Sequence, residues 1–319
     1  MELNAQGNEA DRSRLRPELR AMLEEAERSE AIPITKMDAK DARLAAELDI
    51  ANLWGIKDDV DATEDFTIHS GNAEIKARLY RAATANTILF FHGGGWVLGS
   101  IETHDGAVRA LVTAAKANVL SIEYRKAPEH VFPAAIEDAE AALDWLVSNA
   151  SAKGLAANRL IVAGDSAGAN IAAVLAIKAR DRNLPLLGQA LIYPATDLAN
   201  RAPSHWQFSQ GFFLDSATMD WYASHYLSEN TDRAHPDVSP MFAQSLEGLA
   251  AAYVATADHD PLRDEGRAYA QRLIAAGNDV CYEEWRGTVH GFFNMDRNTP
   301  AARQIIARIG EWANSVWSR

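Results

Sequence analysis

From Thr87 onward the chain repeats one rhythm: a short apolar run, then a longer stretch of helical periodicity. The apolar runs are "NTILFF", "NVLSIEY", "RLIVAG", "LLGQALIYP", "AAYVATAD" and "DVCYEEW". Helical patterns fall between or after them, near 104–116, from Pro133 to about 150, from about Ser166 to Arg180, from Pro261 to Ala276, and from about 300 to 317. A strand whose connection is a helix of this length returns parallel to its predecessor, and strands covered by helices on both faces read as near-continuous apolar runs. Upstream, residues 61–82 alternate apolar and polar positions on both sides of a Ser-Gly-Asn turn, the pattern of a hairpin. The expected fold is therefore α/β, a mostly parallel eight-stranded mixed sheet with helices on both faces.

Two regions stand outside this rhythm. Residues 17–30, with Pro17 at a first helical position, and residues 39–53 read as helices ahead of the sheet. Residues 198–238 lie between two strands and carry aromatics, prolines and two short helical patterns; a structureless loop of that length is improbable in a compact domain, so this is an insertion that folds over something. The chain of 319 residues thus divides into 1–60, a core segment 61–197, the insertion 198–238 and a second core segment 239–319. The net charge of -13 argues against nucleic acid as a partner, because phosphate binding needs clustered Lys and Arg. One cysteine, Cys281, allows no internal disulfide, and no Cys/His pairs at ligand spacing suggest a metal. The charged N-terminus lacks the apolar core of a signal peptide, and no stretch has the twenty or so apolar residues of a membrane span, so a cytoplasmic location without stable membrane insertion is expected.

Two glycine-rich stretches carry chemistry. "GDSAG" places Ser166 between Gly164 and Gly168, directly after a strand and at the start of a helix, the context that makes G-x-S-x-G a nucleophile turn. "HGGGW", 92–96, also follows a strand. Three glycines weaken a strand end, and alone they read equally as a flexible loop. Beside an activated serine they gain a purpose: a tetrahedral intermediate needs N–H donors aimed at its oxygen, and Gly93 and Gly94 with Ala167 would supply them.

Together with "YRKAPEHVFPAA", "YP", "DPLRDEG" and "HGF", in this order and spacing, these motifs identify a chain that resembles the hormone-sensitive-lipase-like branch of the α/β-hydrolases, whose bacterial members are carboxylesterases. The resemblance covers nearly the whole chain. It implies a helical cap built from residues 1–60 and 198–238 over the active site, no cofactor, and a buried ion pair between Arg125 and Glu129 bracing the loops. The chain departs from the family pattern at Trp96, where Phe is usual, and at Lys126, where Leu is usual, which bears on the size of the acyl pocket.

Serine needs a base, and the base needs an orienting acid. In this fold they follow the nucleophile as acid and then histidine. Asp260 ends one strand and His290 follows the next, on the same rim as Ser166. Asp260 precedes Pro261 and reads equally as a helix cap; Asp258 and Asp264 are nearby acids, and the match of "DPLRDEG" to the family motif selects Asp260. His259 competes with His290 but adjoins the acid. His92 is expected to tie the glycine loop by hydrogen bonds, while Asp165 is left open between helix cap and tuning of the site. Trp96, Trp206, Phe212 and Phe213 are candidates to line a substrate pocket, with Phe208, Trp221 and Tyr222, and bulky Trp96 favours short acyl chains. The expected activity is serine-dependent hydrolysis of short-chain esters. The alternatives are amidase or lactonase chemistry on the same triad, or a small-molecule receptor on a hydrolase fold. The strand 279–285 falls at a sheet edge and is a candidate for pairing with a second copy.

Overall fold

The computed structural model describes residues 12–29 and 32–319. Residues 1–11, part of the stretch read against a signal peptide, and residues 30–31, where the first expected helix ends, lie outside them. Strands β1 (Thr63–Ser70) and β2 (Ala73–Tyr80) form the hairpin, with Ser70 opposite Ala73 across the turn. Then come β3 (Thr87–Phe91), β4 (Asn118–Glu123), β5 (Leu160–Asp165), β6 (Leu186–Ile192), β7 (Ala251–His259) and β8 (Val280–Val289). They form one eight-stranded sheet in the order β1-β2-β4-β3-β5-β6-β7-β8. Strand β2 runs antiparallel to both its neighbours, and the other pairs are parallel.

Nine α-helices are described: α1 (Pro17–Arg28), α2 (Ala39–Asn52), α3 (Ile101–Ala115), α4 (Ala134–Asn149), α5 (Ala167–Asp181), α6 (Pro203–Gln207), α7 (Ser216–Tyr226), α8 (Arg263–Ala275) and α9 (Ala301–Trp317). The core splits into two layers because successive strand residues face opposite ways. Leu89, Phe91, Leu120, Val162 and Val254 pack with α4, α5 and α8, while Ile88, Phe90, Val119, Ile161 and Tyr253 pack with α3 and α9. All five residues of β3 are buried, which is why its sequence shows no alternation.

Strand β8 extends beyond the expected Trp285 to Val289. Arg286-Gly287-Thr288 reads as a turn, but Gly287 adopts φ +71 inside the strand and the β7/β8 register shifts there, between Ala257 and His259, the local signature of a bulge. The Gly287 carbonyl accepts the Arg16 N–H at 2.9 Å, which joins the chain's beginning to its last strand.

The order of strands places the site. Strands β3 and β5 are neighbours, whereas the chain leaves β3 for β4 on one side and returns to β5 on the other. Open α/β sheets bind ligands at such a reversal, outside the carboxyl ends of the strands. Both glycine motifs emerge there, with Phe91 paired directly against Gly164.

The N-terminal helices and the insertion meet over this rim. Arg12 donates to the Gly211 carbonyl at 2.6 Å, the Trp54 indole covers Gly106, and Arg43 donates to the Val97 carbonyl at 2.8 Å, to the Ala127 carbonyl and to Glu129. The hydrogen bond from Arg43 lowers the Glu129 carboxyl to about 2. A carboxyl held below its unfolded value adds stability that is complete above about pH 5 and fades as pH falls toward the folded value. Arg43→Ala should therefore lower the melting temperature more at pH 7 than at pH 2.5, with the contribution from the two carbonyl contacts remaining at both, as differential scanning fluorimetry across that range will report.

Candidate active site

The turn from β5 into α5 carries Ser166 at φ 55, ψ −118, a conformation that non-glycine residues adopt only when their surroundings impose it. The imposing contact is glycine on backbone. A Cβ on Gly168 would lie 2.0 Å from the Phe91 carbonyl oxygen, and one on Gly164 would lie 2.4 Å from the Gly168 backbone. The Ser166 N–H donates to the Ile192 carbonyl at 2.9 Å, which ties the turn to β6 as well.

His290, just past β8, brings Nε2 within 2.9 Å of Ser166 Oγ, and its Nδ1 lies 2.8 Å from Asp260 Oδ2. Asp260 is fully buried, and its other oxygen accepts the Leu262 N–H at 2.8 Å. Asp260 does not cap α8, whose N-cap position is Leu262; one of its oxygens closes the turn before that helix and the other holds the imidazole. With Nδ1–H directed at the carboxylate, Nε2 is left to accept the serine proton, a tautomer inferred from this hydrogen-bond network. Tyr193 packs on the His290 ring at 4.6 Å between centroids. The rival His259 points its Nδ1 at Asp258 at 2.7 Å and lies against Phe212, while Asp264 accepts the Ser204 N–H at 3.0 Å.

The glycine loop corrects one expectation. The Gly93 N–H is not free: it donates to Asp165 Oδ1 at 2.8 Å. The N–H groups of Gly94 and Gly95 have no protein acceptor among the described residues, and Ala167 opens α5, where a helix leaves its first N–H without an internal partner. The open donors are thus those of Gly94, Gly95 and Ala167. Asp165 does not cap the helix, since Ser166 occupies the N-cap position without a side-chain cap bond. Instead its carboxylate also accepts from the Tyr193 hydroxyl at 3.3 Å and lies 3.2 Å from His104 Nε2. Burial pushes this carboxyl up, and the His104 imidazole, with the Gly93 hydrogen bond, outweighs burial and holds it below the usual range.

His92 is buried, stacks 4.4 Å from Tyr124, and places Nδ1 2.8 Å from the Gly93 carbonyl; burial pushes its imidazole well below the ordinary value. Lys126, the departure from the family pattern, donates to the Gly99 carbonyl at 2.7 Å and pairs with Glu123, so it fastens the far end of the same loop. The expected Arg125–Glu129 pair does not form. Arg125 binds Asp138 at 2.7 Å and Glu137 at 3.1 Å on α4, and Glu129 binds Arg43. The two residues lie in the irregular segment between β4 and α4, where each side chain meets a different neighbour.

Ser166, His290, Asp165 and the glycines 93–95 border a cavity of ≈ 540 Å³ lined by Trp96 and Phe213 among the expected aromatics. Trp206 instead stands 57% exposed beneath the Arg201 guanidinium, and Phe212 is buried between Phe208, His259 and Arg12; neither borders the cavity. Phe208 and Trp221 do not border it either, whereas Tyr222 does. Sequence reasoning passed over Glu265 and His205, which line one side. Glu265 accepts the Thr196 N–H at 2.6 Å and approaches His205 Nε2 at 3.1 Å, and its place within "DPLRDEG" was the available signal. Ile34 and Met37, also lining it, lie in a segment with no strong periodicity.

Ser166, His290 and Asp260 are thus spaced as in the serine–imidazole–carboxylate relay of serine hydrolases. A family model described as "alpha/beta hydrolase fold" matches residues 88–294. A Mycobacterium tuberculosis protein named a carboxylic ester hydrolase is 44% identical over 74% of this chain, a match spanning 65% of that relative's length. A Pseudomonas putida protein named an ethyl acetate hydrolase is 36% identical over 88% of this chain and 92% of its own. The crystal structure of an α/β hydrolase enzyme from the Lake Arreo metagenome superposes with a TM-score of 0.93 at 37% identity, covering 96% of this chain and 100% of that one. The chain belongs to the α/β-hydrolase fold family, in its hormone-sensitive-lipase-like branch.

Gly168→Ala tests the contact beneath the nucleophile. The added methyl must displace the backbone oxygens of Phe91 and His92, at 2.0 and 2.6 Å, and neither can swing away as a side chain could. Chemical denaturation should show a loss on the order of 1–3 kcal/mol or more, the range for overpacking.

Proposed function

We propose that the protein is a serine carboxylesterase that hydrolyses short-chain carboxylic esters through an acyl-enzyme intermediate. The observation that carries this reading is the relay from Asp260 through His290 to Ser166, with links of 2.8 and 2.9 Å. Ser166 Oγ attacks the ester carbonyl as His290 Nε2 takes its proton, and Asp260 stabilises the imidazolium. The N–H groups of Gly94, Gly95 and Ala167 receive the oxyanion, each such donor typically contributing roughly 3 kcal/mol. His290 then protonates the leaving alcohol. Water, activated by the same imidazole, attacks the acyl-enzyme and releases the acid.

Residues 1–60 and 198–238 act as one cap, a reading supported by their joint lining of the cavity through Ile34, Met37, Phe213 and Tyr222. Short acyl chains are favoured because Trp96 lies flat against Tyr226 and narrows the space beside the glycine loop. The relative named an ethyl acetate hydrolase supports the same preference. The position of β8 at the sheet edge supports pairing with a second copy, which light scattering will resolve. Among the described residues no helix is long and apolar enough to cross a membrane. The single cysteine is compatible with the reducing cytoplasm.

Ser166→Ala should lower kcat by on the order of a million-fold, the scale of a lost triad nucleophile, and should abolish labelling by a fluorophosphonate. A variant retaining more than a few per cent of activity would remove Ser166 from its role. On p-nitrophenyl acetate, butyrate and laurate, kcat/KM should be highest for the two shorter esters, and a preference for laurate would contradict the role given to Trp96.

A further inference from the structure

The glycine loop holds three successive residues at positive φ: Gly94 at 118, Gly95 at 59 and Trp96 at 61. The last is not a glycine, and such a conformation costs on the order of 1–3 kcal/mol unless neighbours impose it. From the sheet side the loop is held by the Gly93 N–H on Asp165. From the other side it is held by the insertion. Tyr222 and Tyr226 stand one turn apart on α7 and so share a helix face. The Tyr222 ring covers Gly95 so closely that a Cβ there would lie 2.2 Å from its Cγ. The Tyr226 ring stacks on Trp96 with centroids 4.4 Å apart and planes 3° from parallel.

Both ends of that stack are fixed, since the Trp96 carbonyl accepts the Ala127 N–H at 3.0 Å and the Tyr226 carbonyl accepts the Phe132 N–H at 2.9 Å. The rings, not the hydroxyls, make the contact. Tyr226 Oη and Trp96 Nε1 are buried without hydrogen-bond partners among the described residues. A ring pair retained for a polar interaction would not leave both polar atoms unmatched.

We propose that Tyr222 and Tyr226 are positioning residues that press the oxyanion loop into its strained conformation, so that the seating of α7 on the core sets turnover as well as substrate fit. The proposal rests on the ester-hydrolase reading above. Without the two rings the loop relaxes, the Gly94 and Gly95 N–H groups turn from the position the oxyanion will occupy, and the loss falls on the transition state.

Ethyl acetate separates this role from simple pocket lining, because both of its halves are too small to need the cap for binding. The measurement is kcat and KM for ethyl acetate, followed by titration of alkali, together with the affinity for ethylboronic acid as a tetrahedral mimic. Tyr222→Ala and Tyr226→Ala should each lower kcat at least tenfold with KM changed less than threefold, a fraction of the 10²–10³ lost with one oxyanion donor. They should weaken the boronate in parallel. Tyr222→Phe and Tyr226→Phe should stay within twofold of the wild type. Tyr222→Leu, a smaller change at a partly exposed position, gives the same comparison if alanine prevents folding. Alanine or leucine variants that keep kcat on ethyl acetate, or phenylalanine variants that lose it equally, would overturn the proposal alone. A wild type that leaves ethyl acetate intact while folded would overturn the ester-hydrolase reading and this proposal with it.

Discussion

Helix α5 approaches β3 until only a hydrogen atom separates Gly168 from the Phe91 carbonyl, and the site is built outward from that contact. The contact leaves the chain between β5 and α5 no room for a gradual turn, so Ser166 is forced to φ 55 and its hydroxyl stands clear of the sheet. The same closeness sets the N-terminus of α5, with the Ala167 N–H, beside the loop leaving β3. A helix N-terminus carries partial positive charge where negative charge would develop. A single pair of glycines thus settles the position of the Ser166 hydroxyl and of the Ala167 N–H together.

The second constraint is electrostatic. Two buried carboxylates flank Ser166, and a negative charge beside a forming oxyanion opposes it. The structure separates their work. Asp260 is turned to His290 and to the start of α8. Asp165 is met by the Gly93 N–H, the Tyr193 hydroxyl and His104. Tyr193 joins the two halves, since its ring lies against His290 while its hydroxyl reaches Asp165. A buried charge is tolerable only when such partners replace its water. Here the partners are the groups whose placement matters, so solvating the charge and ordering the loop are one act.

Much of this was legible in the amino-acid sequence, for reasons that differ from residue to residue. Strands β3 to β7 are covered on both faces, so their apolar runs stand out, and the order of motifs put Ser166, Asp260 and His290 at strand ends before any coordinates. The end of β8 was hidden because Arg-Gly-Thr reads as a turn and becomes a bulged strand only when β7 pairs with it. Gly93 reads as a donor to substrate because the sequence says nothing of where a glycine's N–H points; in the fold it points at the Asp165 carboxylate. Phe212 and Phe213 are adjacent, yet one is buried in the core and the other borders the cavity. A segment without helical or strand period offers no rule for which way a side chain faces. The Arg125–Glu129 pair was implied by the family resemblance, and here each finds another partner, Arg125 on α4 and Glu129 at Arg43.

The departures from the family pattern sharpen this. Trp96 and Lys126 look unrelated, thirty positions apart in sequence, but they act on one loop. Trp96 presents an indole wide enough to lie flat on the Tyr226 ring, and Lys126 reaches the Gly99 carbonyl a few residues further on. Held at Gly93, at Trp96 and at Gly99, the loop can keep Gly94, Gly95 and Trp96 at positive φ, because any relaxation must break the Gly93–Asp165 bond, a packed stack or a charge-assisted hydrogen bond first. The ring that lines the cavity is therefore also one of the loop's anchors. In this chain a preference for small acyl groups and a well-ordered oxyanion site would have a common cause in one side chain.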